Sequence, residues 1–295
     1  MIILEKHIVP EGEYHIRLQE YAGTVFEKLQ SRSAVKKCIA KKCILIDGEI
    51  AETSNWIKTG QLIELIAPNT NPKKVFQLQL EMLYEDDSFA AINKPAGFPT
   101  NGNYYKTIEN ALPYNLKVSS KTDALNFPKP VHRLDNPTSG ILLVAKTKSA
   151  QINLHNQFEA KNIQKEYHAV VAGKLPESGI MNSDVNNQIA ITEFKTINQV
   201  QALQNEYLTL VRLFPKTGRT HQLRIHLSEL GFPIVGDKLY APRNVMMHKG
   251  LFLAATNIQL LHPSTQESIT ISAAIPRKFN SYLAREQKRF TKHSV

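Results

Sequence analysis

The chain has 295 residues, 42% of them hydrophobic, which is enough to bury the core of one large domain or two. Its net charge of +10 and pI near 9.4 point to a polyanionic partner, nucleic acid or an anionic membrane surface first. Two cysteines, Cys38 and Cys43, exclude a disulfide framework and fit reduced thiols in a cytoplasmic protein; no apolar run approaches the ~18–20 residues of a membrane span.

The opening MIILEKHIV is apolar but interrupted at Glu5, with no cleavage site after it, and reads as no signal peptide. RLQEYAGTVFEKLQ places Leu18, Tyr21, Ala22, Val25 and Leu29 on one helical face. SRSAVKKCIAKKC predicts a second helix, capped by Ser31 or Ser33, with Val35, Cys38 and Ile39 inward. Arg32, Lys36, Lys37, Lys41 and Lys42 then form a basic face. ILIDGEIAE reads as a hairpin around Asp47-Gly48, and QLIELIA as a strand.

NTNPKK after Pro68 has linker composition, so a small domain over 1–67 is expected, then a linker over 68–74 and a larger domain over 75–295. In that domain FAAINKP, GILLVAKT, EYHAVVAG and EYLTLVRLFP read as strands. SAQINLHNQFEAK predicts a helix with Ile152, His155 or Asn156, and Phe158 at helical spacing. THQLRIHLSELG predicts another, stopped at Gly231. The basic tail FNSYLAREQKRFTKH is expected to be a solvated terminal helix.

The densest polar cluster is PVHRLDNPTSGILLVAKT, residues 130–147. An aspartate, Asp135, stands beside Arg133 and His132 just ahead of an apolar strand. A neighbouring cation favours an ionised carboxylate, which serves as nucleophile, general base or one half of a structural ion pair. Ser139, His132 and Asp135 supply the residue types of a hydrolytic triad, but no G-x-S-x-G elbow is present. PKTGRTHQLRIHL, residues 215–227, brings Lys216, Arg219 and Arg224 together with His221 and His226. This suits a phosphate backbone or a catalytic carboxylate. Histidines five apart are poorly spaced for a shared metal, and no metal is expected.

HRLDNPTSGILLVAKT, KEYHAVVAG, KTGRTHQLRIHL, GFPIVGDKLY and LLHP, in this order, resemble the RluA family of pseudouridine synthases over about Leu83 to Pro276. Residues 15–66 resemble an S4 RNA-binding domain. The resemblance implies an α+β catalytic domain on a mixed, largely antiparallel sheet with a central cleft, plus the small S4-like domain. It implies isomerisation of uridine to pseudouridine in RNA, without cofactor or metal: the N1–C1′ bond breaks, the uracil turns, and C5 bonds to C1′. Carried over by position, Asp135 is the catalytic aspartate, Tyr167 the ring against the base, and Arg224 the cation paired with Asp135. Arg133, with His132, displaces the target base; Arg219 and His221 join them as substrate-binding residues, and Arg32, Lys36, Lys37, Lys41 and Lys42 bind RNA. Large-subunit ribosomal RNA is the expected substrate, with transfer RNA as the alternative, no membrane, a monomer, and a cytoplasmic location. The competing class is an RNA-binding or ribosome-assembly factor that has lost activity; Asp135, Tyr167 and Arg224 together argue against it. Thr100 and Ala254 stand where many members carry histidine, and altered RNA contacts or packing are expected there rather than lost activity.

Overall fold

The computed structural model describes residues 3–67, 75–246 and 250–293. Two compact units divide the chain, Met1–Lys73 and Lys74–Val295. The linker expected at 68–74 lies outside the described residues.

The first unit runs β1 (Ile3–Ile8), α1 (Leu18–Val25), α2 (Arg32–Ala40), β2 (Ile44–Ile46), β3 (Glu49–Ile50) and β4 (Leu62–Ile66), with an antiparallel sheet in the order β1-β4-β2-β3. The apolar opening is thus an edge strand on β4. Helix α1 stops at Val25 because Phe26 turns extended, so Leu29 reaches the core from the following turn rather than from the helix. Ser31, not Ser33, caps α2: its Oγ accepts the Ala34 N–H at 3.2 Å. Asp47 and Gly48, both at positive φ, form the two-residue turn between β2 and β3, the twist that a tight hairpin favours. Leu18, Ala22, Val35, Ile44 and Ile63, each fully buried, join both helices to the sheet.

The second unit runs β5 (Glu81–Glu85), β6 (Phe89–Lys94), α3 (Ile108–Asn115), β7 (Ala124–Pro130), β8 (Ser139–Thr147), α4 (Lys148–Glu159), β9 (Gln164–Ala172), β10 (Ser178–Asn182), β11 (Ile191–Ala202), β12 (Glu206–Pro215), α5 (Gln222–Glu229), α6 (Arg243–Met246), β13 (Leu253–Leu261), β14 (Ser268–Ser272) and α7 (Arg277–His293). The sheet order is β10-β11-β12-β9-β13-β8-β6-β5, with β14 also on β13 and β7 also on β8. Pairing is antiparallel except where β13 meets β8 in parallel, Ala254 opposite Ser139 and Ala255 opposite Gly140. The result is α+β on a mixed, largely antiparallel sheet.

That parallel junction explains the Thr138-Ser139-Gly140 sequence. Gly140 has φ +111°, and a Cβ there would collide with the Ala255 backbone, so only glycine lets the two strands approach. Beyond it, Ile141 to Ala145 are each 1% exposed or less, with residues on both faces in separate cores. This accounts for an unbroken apolar run instead of alternation.

Two helical expectations change. In α4 the buried positions are Ala150, Leu154 and Gln157, and Ile152 faces outward; Phe158 is partly buried. The tail is not a solvated helix: α7 buries Phe279 and Leu283 against the larger core and packs on β11, leaving a basic outer face. Among the described residues no helix is long and apolar enough to cross a membrane.

Candidate active site

A cavity of about 310 Å³ opens beside the β8–β13 junction, between the loop preceding β8, the first half of β9 and the segment leading into α5. Asp135, Tyr167 and Arg224 line it, as do Arg133, Arg219 and His221. Register explains the convergence. On β13, Ala255 has Gly140 on one side and Tyr167 on the other, so the loop bearing Asp135 and the Tyr167 ring meet across one strand.

The loop is held from below. Lys94, fully buried at the end of β6, donates its Nζ to the carbonyls of Thr138 at 2.7 Å and of Asn136 and Pro95 at 3.2 Å. Burial pulls the Lys94 amine down to about 8, opposed by the negative charge of Asp135. Thr100, 3% exposed, pairs through its hydroxyl with both the N–H and the carbonyl of Leu134. The Gly97 N–H adds a bond to the Asn136 carbonyl. Residues 94–100 therefore brace residues 134–138, which is how a loop acquires the fixed geometry a reactive group requires.

Arg224 is buried at 3% exposure and faces two carboxylates. Its Nε and Nη2 donate to the two oxygens of Asp237 at 2.7 and 2.8 Å, while Nη1 reaches Asp135 at 3.4 Å. The expected pairing with Asp135 is present, but Asp237 takes the planar fork. Burial opposes the Arg224 charge; the bonds and charge of Asp237, then those of Asp135, outweigh it and hold the guanidinium above its usual value. Asp237 is likewise held below the carboxylate range: burial works against it, and the Arg224 bonds and the Leu239 N–H prevail.

His221 was expected inside the helix. It stands just before it, at φ +59°, a left-handed conformation that costs a non-glycine residue about 1 kcal/mol. That turn brings Nε2 to 3.6 Å from Asp135, with Nδ1 2.9 Å from the Tyr240 hydroxyl. Tyr167 is partly buried, and burial together with Asp135 raises its phenol, so it acts as a neutral ring.

The family model for RNA pseudouridylate synthase matches residues 88–229. Ribosomal large subunit pseudouridine synthase C of Rickettsia felis is 33% identical over 300 residues, covering 89% of this chain and 94% of that protein. The chain belongs to the RluA family of pseudouridine synthases. Ribosomal large subunit pseudouridine synthase D of Nitrosomonas europaea is 29% identical, covering 91% of this chain and 83% of that protein. Human RNA pseudouridylate synthase domain containing 4 shares the fold, with a TM-score of 0.57 at 23% identity, covering 70% of this chain and 92% of that one. The protein is an RNA pseudouridine synthase, an isomerase.

In this pseudouridine synthase not every residue singled out from sequence serves the cavity as expected. His132 lines it, yet its Nε2 accepts the Leu143 N–H at 3.0 Å and its ring packs on Phe158. Burial, reinforced by the charge of Lys165, pulls the imidazole down to about 3. A neutral ring with that acceptor occupied braces β8. Arg133 is exposed at the cavity rim. Of the second cluster, Lys216 turns away to Glu193 at 2.8 Å, and Arg219 donates its Nε to the Ile189 carbonyl. Both ring nitrogens of His226 are engaged, by Thr192 and by the Ser183 carbonyl, so it is no metal ligand. In the first unit Arg32, Lys36 and Lys37 are exposed on α2, Arg32 pairing with Glu20 at 2.8 Å, and Lys41 and Lys42 are exposed just past its end.

Lys94, Lys165, Asp237 and Tyr240 were missed as site residues. All four lie inside motifs of the sequence, Lys94 in FAAINKP, Lys165 in KEYHAVVAG, Asp237 and Tyr240 in GFPIVGDKLY, but only tertiary distance shows what they hold.

Proposed function

We propose that this protein converts uridine to pseudouridine in large-subunit ribosomal RNA, with Asp135 as the reacting carboxylate. The observation that carries the reading is Asp135 on the wall of a 310 Å³ cavity, within 3.4 Å of Arg224 and across one strand from Tyr167. That volume suits one nucleotide, so the target must leave its stack to enter. The names of the Rickettsia and Nitrosomonas relatives support ribosomal RNA as substrate.

Breaking N1–C1′ builds positive character at C1′, which an ionised carboxylate stabilises by attack at C1′ or by taking the C2′ proton. Tyr167 packs against the released uracil and keeps it close while it turns. C5 then bonds to C1′ as the Asp135 carboxylate leaves C1′ or the abstracted proton returns to C2′, the C5 hydrogen leaves to water, and N1 gains a proton. Arg133 fills the gap left by the flipped nucleotide, while Arg219 and His221 contact it. The first unit acts as an S4-like RNA-binding domain, gripping phosphates with Lys36 and Lys37 and, past the helix, Lys41 and Lys42. The enzyme works as a cytoplasmic monomer, where its ribosomal substrate is assembled.

Tritium release from ribosomal RNA labelled at C5 of uridine, taken from cells lacking the protein, tests the reading. Release by wild type and none by Asp135→Asn supports it. Release from transfer RNA alone moves the substrate, and release by Asp135→Asn removes Asp135 from the reacting role.

A further inference from the structure

We propose that the turn Asp237–Tyr240 is a positioning device that sets the reactivity of Asp135 from outside the cavity: Asp237 occupies the fork of Arg224, and Tyr240 orients His221. Neither Asp237 nor Tyr240 lines the cavity, so neither is placed to touch substrate. The proposal rests on Asp135 being the reacting carboxylate.

Asp237 is 1% exposed and fully used. Its Oδ1 accepts the Leu239 and Tyr240 N–H groups at 2.9 and 3.2 Å as well as Arg224 Nη2, and its Oδ2 accepts Arg224 Nε. The same turn places the Tyr240 ring 5.1 Å from the Arg224 guanidinium carbon. One five-residue stretch, Gly236–Tyr240, thus fixes both cationic-capable groups that face Asp135, Arg224 in α5 and His221 just before it. Gly236 is forced there, since a Cβ would collide with the Gly250 carbonyl.

The consequence is electrostatic. Arg224 and Asp237 together are neutral, so Arg224 steers Asp135 with one long N–H instead of clamping it with two short ones. A clamped carboxylate is a weaker nucleophile and base. On the other side, Nδ1 of His221 lies 2.9 Å from the Tyr240 hydroxyl; with that hydroxyl donating, the imidazole carries its proton on Nε2, directed at the Asp135 oxygen 3.6 Å away. The opposite tautomer would set a lone pair against the carboxylate. Charged or titratable groups facing Asp135 come from every neighbouring element: Lys94 from β6, Tyr167 from β9, and His221 and Arg224 from the α5 segment.

The two halves of the turn act in opposite senses, which separates positioning from mere support. In Asp237→Asn the freed fork swings onto Asp135. In Tyr240→Phe the ring beneath Arg224 remains, but the hydroxyl that orients His221 is gone. Single-turnover tritium release is followed from pH 4 to 9 on C5-labelled, unmodified ribosomal RNA at saturating enzyme, with RNA affinity measured alongside. For Asp237→Asn the plateau rate is expected to fall about tenfold. Its acid limb should move to lower pH by about half a unit, with affinity within about twofold of wild type. For Tyr240→Phe the acid limb is expected to move to higher pH. Limbs that stay at the wild-type position, or that move the same way in both variants, overturn the proposal. Should Asp237→Asn fail to fold, the limb of Tyr240→Phe decides alone, because loss of folded enzyme lowers amplitude without moving a limb. An Asp135→Asn control that still releases tritium overturns the reading of Asp135 itself; an inactive control with unmoved limbs overturns only the positioning role.

Discussion

His132 and Leu143 are joined across the mouth of β8: the imidazole Nε2 accepts the Leu143 N–H at 3.0 Å, where the strand would otherwise leave a donor unpaired. Leu143 is fully buried, so removing the acceptor strands that donor without water. His132→Ala is expected to lose about 1–3 kcal/mol of stability, read from urea unfolding. Per folded molecule it should retain most of its isomerisation rate.

The same imidazole gives a pH signature. His132 is held down to about 3 and His168 to about 4, both chiefly by burial, with the charges of Lys165 and Arg212 respectively adding to it. A folded-state value below the unfolded one means the unfolded chain binds more protons on acidification. Stability from these two groups is full above pH 6.5 and is lost as pH falls through the folded values. The urea midpoint should decline from about pH 6.5 toward pH 3, and His132→Gln should flatten part of that decline. An unchanged slope in His132→Gln would show that the ring is not held neutral.

The Thr100 hydroxyl serves the backbone of Leu134, one residue before Asp135. At 3% exposure the residue is packed inside the protein. Thr100→Val keeps the shape and deletes both bonds, leaving a buried N–H and carbonyl unpaired. The expected outcome is a loss of roughly 1–3 kcal/mol and a slower chemical step, with RNA affinity unchanged. Weaker RNA binding at an unchanged single-turnover rate would contradict it.

Ala254 is 1% exposed between Ser139 and His168 in the sheet, so a larger side chain meets packed core. Ala254→His is expected to destabilise by about 1–3 kcal/mol through overpacking, seen as a lower unfolding midpoint, with little change in the rate per folded molecule. Gly140→Ala should be far worse, yielding no soluble folded enzyme, because its Cβ has no place beside Ala255.

Lys36 and Lys37 are exposed on α2. If they meet phosphates, Lys36→Ala and Lys37→Ala should each weaken RNA binding and reduce the slope of log affinity against log salt by about 1. Filter binding between 50 and 200 mM salt, roughly the range over which such contacts act, measures this. Unchanged slopes would place the RNA elsewhere.

Much of the site was legible because its residues sit in short local patterns. Asp135 precedes an apolar strand, Tyr167 lies within a strand, and Arg224 lies within a helix; each local signal is a periodicity or a turn. What His132 touches was not legible: adjacency to Asp135 says nothing of the ring's turn back onto β8 and Phe158. The tail was judged by its charge, but Phe279 and Leu283 recur on one side and find a core that local sequence could not supply.

By itself the sequence determined the elements that carry Asp135, Tyr167 and Arg224 and the order of the two units, because propensity, capping and motif spacing act over a few residues. Only the tertiary structure decided which groups oppose one another. Arg224 answers to Asp237 before Asp135, Lys94 holds the loop from beneath, and Gly140 lets β13 close against β8. Those relations depend on strands far apart in the chain meeting at hydrogen-bond distance, and a charge at 2.7 Å dominates one at 3.4 Å whatever their order in sequence.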